Sequence, residues 1–236
     1  MDFLNWKVRI GVTYLLLPLV ANPFRVHRRT NGRSLAALGR AGHCAATQHH
    51  REMHMAVLAV VYWSGSATIT LAARAVAGGA AAAGAEVHMV DVLHPKDIDW
   101  SLLARADGIV LGAPTYMGGV AAGMKAFMDE TGHAIWTERL WKDKLAGGFT
   151  CGIQQAGDKL ATLKSMAVFA AQHGMLWIGQ EVIGAPVVPE NAGLNASGTF
   201  LGLAVGSATD GQLDPGDAAS ARLFGERLAG ALARWG

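Results

Sequence analysis

Eight consecutive apolar residues, Ala56 to Trp63 (AVLAVVYW), run straight into hydroxyls, with Ser64, Ser66, Thr68 and Thr70 at every second position. A strand that is apolar on both sides must be covered on both faces, as in the middle of a layered α/β sheet. The rest of the chain follows that demand. Ala67–Ala83 reads as an alanine-rich helix stopped by Gly84, and Glu86–Val92 (EVHMVDV) as a second strand. Pro95 and Asp97 open a short helix through Arg105, Asp107–Ala113 (DGIVLGA) is a third strand, and Val120–Thr131 is helical. Leu145–Gly152 is a fourth strand, Asp158–His173 a helix with Asp158 as N-cap, and Met175–Gly179 a short fifth strand. Residues 180–214 are rich in Gly, Pro, Asn and Ser. The closing helix, Pro215–Arg234, takes Asp214 as N-cap and Pro215 as its first residue. The Gly78–Gly84 stretch (GGAAAAG) reads as simple composition, a loosely wound helix end. Five strands alternating with helices make a doubly wound sheet, whose ligands sit beyond the strand C-termini.

The strands begin at a seam in the charge. Residues 1–54 carry eight lysines and arginines against Asp2 and Glu52, and five of the nine histidines. Subtracting from the chain totals of 20 basic and 18 acidic leaves 12 and 16 for residues 55–236, a net −4. The overall charge of +2 therefore describes the leading segment and gives no ground for nucleic-acid binding. Within that segment Ile10–Val20 (IGVTYLLLPLV) is apolar, but eleven residues interrupted by Pro18 are too short to span a bilayer. Basic residues flank it on both sides and Leu19-Val20-Ala21 is a poor cleavage site, so neither export nor stable membrane insertion is expected. The expectation is a poorly ordered basic extension or over-long start over 1–54, and a folded domain over 55–236. Cys44 and Cys151, 107 positions apart, match no disulfide framework or metal spacing, which points to a reducing, cytoplasmic setting.

Three loops fall on the strand C-terminal edge: Ser64–Ile69, Pro114–Gly119 and Cys151–Gly157. Each is rich in glycine, small or hydroxyl residues. The first feeds a helix, whose opening amides and dipole favour an anion. The triphosphate-binding pattern G-x-x-x-x-G-K-[ST] is absent, and so is the dinucleotide fingerprint G-x-G-x-x-G. A phosphate held without lysine or magnesium suggests a monoester bound by neutral donors. Ser and Thr there could equally be ordinary helix caps.

Tyr62-Trp63-Ser64-Gly65-Ser66-Ala67-Thr68 resembles the FMN-phosphate loop W-S-G-T-G-N-T of flavodoxins. Gly112-Ala113-Pro114-Thr115-Tyr116 and Met124-Lys125-Ala126-Phe127-Met128-Asp129-Glu130-Thr131-Gly132 are similar to two motifs, G-x-P-T-R-F-G-N and M-K-x-F-L-D-x-T-G. Those motifs mark the flavodoxin-like NAD(P)H:quinone oxidoreductases, the tryptophan-repressor-binding-protein family. His173-Gly174-Met175 is a third match, and nothing in residues 1–54 matches. The resemblance implies a five-stranded parallel sheet of order 2-1-3-4-5 with helices on both faces. It implies that Ser64, Gly65, Ser66, Ala67, Thr68 and Ile69 wrap the FMN phosphate. Pro114, Thr115, Tyr116, Met117 and Gly118 would line the ribityl chain and one side of the ring. Cys151, Gly152, Ile153, Gln154 and Gln155 would meet the pyrimidine edge, Gln172 would contact the flavin, and Trp136 would wall the substrate pocket.

Four departures stand out: Ala67 for a glycine, Tyr116 for an arginine, Gln172-His173-Gly174 for His-His-Gly, and a third loop with fewer glycines. The plainer readings are a structural thiol at Cys151, helix capping by His173, and packing by Trp136. By resemblance, NAD(P)H reduces FMN and a quinone or similar small acceptor takes two electrons, the flavin carrying the chemistry without a metal. A homodimer or homotetramer is expected. The alternative is a flavodoxin-like electron carrier without reductase turnover.

Overall fold

The computed structural model describes residues 55–236. The extension expected over 1–54 lies outside the described residues. In chain order the elements are β1 (Val57–Tyr62), α1 (Ala67–Ala82), β2 (Glu86–Asp91), α2 (Trp100–Arg105), β3 (Gly108–Tyr116) and β4 (Gly119–Val120). Next come α3 (Ala122–Glu130), α4 (Ala134–Thr137), β5 (Leu145–Cys151), α5 (Lys159–Gln172), β6 (Leu176–Trp177), β7 (Leu203–Val205) and α6 (Pro215–Trp235).

The main sheet runs β2-β1-β3-β5-β6, all parallel. This is the expected doubly wound order, with one correction at its far edge. The fifth position holds two short strands, because β5 pairs through Leu145 and Ala146 with β6 and through Phe149–Cys151 with β7. Between them the chain leaves the sheet at Gly179, where an added Cβ would lie 2.5 Å from the Phe200 carbonyl oxygen. It returns past Phe200, whose carbonyl accepts from the Gln180 amide at 2.9 Å. The expected strand Met175–Gly179 thus shrinks to two residues, and the polar stretch after it contains a strand.

Alternate side chains of the buried strands feed two cores. Leu58, Val60, Val110 and Phe149 face α1 and α6, while Ala59, Val61, Ile109 and Leu111 face Leu103, Met124, Phe127, Met166 and Phe169 on the other side. The Gly78–Gly84 stretch is not a loose helix end: α1 is regular through Ala82, and its Gly79 serves packing. A Cβ on Gly79 would lie 2.0 Å from the Arg222 carbonyl oxygen, and one on Gly225 2.0 Å from that of Val76. Backbones of α1 and α6 touch there, which no larger residue permits.

Two smaller differences matter for the edge loops. The helix expected from Pro95 breaks at Ile98, and α2 starts afresh with Asp99 accepting from the Leu102 amide at 3.0 Å. The third strand continues to Tyr116 and folds back as a hairpin with β4, its turn made by Met117 and Gly118 at φ 49 and 77. Among the described residues no helix is long and apolar enough to cross a membrane.

Candidate functional site

The three loops gather on the strand C-terminal edge. β1 ends at Tyr62, and Trp63 donates its amide to the Gly112 carbonyl at 3.0 Å, so the first loop starts locked to the neighbouring strand. The Trp63 ring lies across Gly65 and Gly123, where added Cβ atoms would come within 2.1 and 2.0 Å of it. It also meets Tyr116 edge to face, with ring centroids 6.2 Å apart. Trp63 therefore ties the first loop to the second and obliges both glycines.

Asp91, at the end of β2, accepts the Ser64 amide at 3.2 Å and the Leu93 amide at 2.9 Å. Ser64 thus has its backbone donor engaged. Ser66 occupies the N-cap position of α1 in extended geometry, yet makes no side-chain cap bond. Its hydroxyl lies 3.8 Å from the Cys151 sulfur instead. Helix-opening amides have no partner within their own helix, so those of Ala67, Thr68 and Ile69 present three donors with a favourable dipole behind them. Ala67 is the first helical residue and has no left-handed backbone, so alanine replaces glycine there without strain. Buried Thr68 accepts from the Ala208 amide at 3.1 Å and keeps its own hydroxyl proton to donate. Ile69 points into the core, contributing only its backbone.

In the second loop Pro114 is buried and Tyr116, Met117 and Gly118 are exposed. Thr115 turns inward: its hydroxyl lies 2.9 Å from that of Thr150 and 2.8 Å from that of Thr162. Its side chain braces β3 against β5 and α5. In the third loop Cys151 is buried, Gly152 half-buried, and Ile153, Gln154 and Gln155 exposed. Burial pushes the Cys151 thiol up to about 11, against the pull of Ser66 and Lys159, so it is a neutral packing group.

Asp158 does not cap α5. It is left-handed at φ 51 and makes no side-chain cap bond. With Gly157 at φ 49 before it, the chain turns so sharply that Lys159 points inward. Sequence reasoning also missed the loop after β7, which supplies Ala208 to Thr68. The triplet Leu203-Ala204-Val205 before Gly206 was its signal, and three residues are too few for a strand pattern.

Trp136 and Gln172 sit together elsewhere: the Trp136 indole donates to the Gln172 carbonyl at 3.0 Å. Gln172 ends α5, some 20 Å along that helix from the loop that starts it. Its neighbours Gly174 and Leu176 bond to Asp143 and Lys144, which lead into the start of β5. The pair therefore lies at the strand N-terminal edge, opposite the three loops. His173 is the C-cap residue of α5, and its side chain belongs to the core, with Nε2 2.9 Å from the Thr131 hydroxyl and the ring packed on Trp141 and Phe169. Burial lowers its pKa. Among the described residues no group of His, Cys, Asp or Glu could hold a metal ion.

Residues 100–187 match the NADPH-dependent FMN reductase family. The chain is 35% identical over 179 residues to a protein named flavodoxin FldP from Pseudomonas aeruginosa, covering 74% of this chain and 96% of that one. It is 30% identical to an NAD(P)H dehydrogenase (quinone) of Archaeoglobus fulgidus, with the same coverage of each chain. The solved structure of a flavodoxin, WrbA-like protein from Agrobacterium tumefaciens superposes with a TM-score of 0.59 at 32% identity, over 77% of this chain and 99% of that one. This chain belongs to the flavodoxin-like NAD(P)H:quinone oxidoreductase family.

Proposed function

We propose that the protein passes two electrons from NAD(P)H, through FMN, to a quinone-like small molecule. FMN as cofactor and NAD(P)H as donor come with the family; the acceptor is our reading, supported by the relatives named quinone dehydrogenases. The observation that carries the cofactor's placement is the uncapped start of α1, where Ser66 makes no cap bond and Thr68 keeps a hydroxyl proton. When bound, FMN supplies the redox chemistry, accepting hydride from the donor and yielding two electrons to the acceptor.

The residues of this chain bind and orient. The amides of Ala67, Thr68 and Ile69 and the hydroxyls of Ser66 and Thr68 would hold the phosphate. The Tyr116–Gly118 turn and the Gly152–Gln155 backbone would flank the ring, with Trp63 fixing the first two loops relative to each other. Exposed Tyr116, Met117 and Ile153 would screen the ring from water. Trp136 and Gln172 lie at the opposite sheet edge, so they would share a flavin with these loops only when brought by another copy. We infer a homodimer or homotetramer on that ground, and a cytoplasmic setting.

The relative named a flavodoxin supports a second reading, an electron carrier without reductase turnover. Steady-state oxidation of NADH or NADPH by the purified flavoprotein with benzoquinone as acceptor decides between them. Turnover well above the free-flavin rate is expected; a flavin-loaded protein with none would leave the carrier.

A further inference from the structure

Lys159 is the one lysine or arginine that the fold buries among the described residues, at 3% exposure. Its stem lies along Gly152, where an added Cβ would meet its Cγ at 3.4 Å. Its Nζ donates to the Val205 carbonyl at 3.2 Å, an oxygen that also accepts the Gly152 amide at 3.3 Å. An ammonium has three donors, and among the described residues no carboxylate lies within ion-pair distance of this one. Burial lowers the Lys159 pKa, and Asp217, which favours its charged form from farther off, has an oxygen on the Gly206 amide at 2.7 Å. A buried cation so thinly matched calls for an anion.

The two strands that pin Lys159 both lead to the first loop. Cys151, ending β5, touches Ser66 at 3.8 Å, and Ala208, three residues beyond Val205, bonds Thr68 at 3.1 Å. The sequence places no lysine or arginine between Ser64 and Ala73, but the fold brings one from another helix. We propose that Lys159 is the charged counterpart of the flavin phosphate and the residue that makes this site select a phosphorylated flavin. This rests on the FMN reading above. The phosphate monoester carries about −1.5 to −2 at neutral pH, and a helix start offers only about half a positive charge against it. Lys159 supplies the missing cation without occupying the loop, and Asp217 opposes it.

A purely structural lysine would pin α5 to β7 and matter equally to any flavin. Fluorescence titration of the full-chain apoprotein with FMN and with riboflavin separates the two roles. K159Q keeps a donor for Val205 and is expected to weaken FMN by about tenfold or more while changing riboflavin less than about twofold. K159R should retain the FMN preference, and D217N should increase it by removing an opposing charge. Equal weakening of both flavins by K159Q, or an unchanged preference, overturns the proposal. If K159Q does not fold, D217N decides, and a preference that stays the same or falls overturns it. A wild-type protein indifferent between the two flavins would instead remove the phosphate reading of the first loop, and this proposal with it.

Discussion

Helices α1 and α6 lie side by side on one face of the sheet, in backbone contact at Gly79 and Gly225, yet they begin in different ways. The start of α6 is closed by its own side chains. Asp214 accepts the Gly216 amide at 2.8 Å, Pro215 removes one donor, and Asp217 in the first turn takes the Gly206 amide. The start of α1 has a serine in the capping position whose hydroxyl turns away to Cys151, and no acidic residue in its first turn. One helix supplies its own anion. The other leaves its amides for a ligand, and that difference separates a structural terminus from a binding one.

The largest effect expected from this contrast is on flavin choice. Replacing Ser66 and Thr68 together by alanine removes two charge-assisted hydrogen bonds, each worth roughly 1.5–3 kcal/mol. FMN should weaken at least about a hundredfold, and riboflavin, with no phosphate to lose, far less. Parallel loss of both flavins in a titration would mean general damage, since Thr68 also anchors Ala208. No loss would leave the phosphate to the amides alone.

The contrast was half legible in the sequence. Asp214-Pro215 announces a capped helix in local chemistry, and the structure has that cap. Ser66 and Thr68 also look like caps, and only the sulfur beside one and the Ala208 amide on the other show that they are not. Asp158 shows the reverse error: a good capping residue by type, it is carried into the left-handed region by the turn that buries Lys159. The main strands followed from apolar runs long enough to be read, and their order from the family resemblance. β7 did not, because three residues paired to β5 across an excursion from the sheet carry no period. The bracing role of Thr115 was not legible, because its partners Thr150 and Thr162 are 35 and 47 positions away. Local pattern shows which residues reach an edge; what each then faces is set by distant chain.

Smaller effects should fall on stability and leave flavin choice alone. Gly225→Ala drives a methyl into the Val76 carbonyl and should destabilise by about 1–3 kcal/mol or more, read as a lowered midpoint in urea. The ratio of FMN to riboflavin affinity should not move, since the overlap lies well down the two helices. Asp214→Ala removes the cap of α6 and should cost about 1 kcal/mol. Ser66→Ala, at the corresponding position of α1, should cost almost nothing in stability while weakening FMN. If the two alanine variants behaved alike in both measurements, the distinction between the helix starts would be lost.

The smallest effect expected is at Cys151, whose sulfur the Ser66 hydroxyl approaches. Its thiol, 4% exposed, is pushed up to about 11 by burial first, with Ser66 and Lys159 pulling the other way. The folded state therefore favours the protonated thiol. Stability from that group is held below the ordinary value of 9.0 and lost as pH rises toward about 11, so near neutrality Cys151 should be silent. Iodoacetamide at pH 8, followed by peptide mapping to separate it from Cys44, should leave Cys151 unmodified in the native protein and label it after unfolding. Cys151→Ser should change the flavin preference by less than about twofold, because the Ser66 hydroxyl would keep an acceptor beside it. Rapid native labelling would put the sulfur in solvent, and a serine variant that lost FMN would give Cys151 a share in holding the cofactor. Either result would move the boundary of the open helix start from Ser66 to the end of β5.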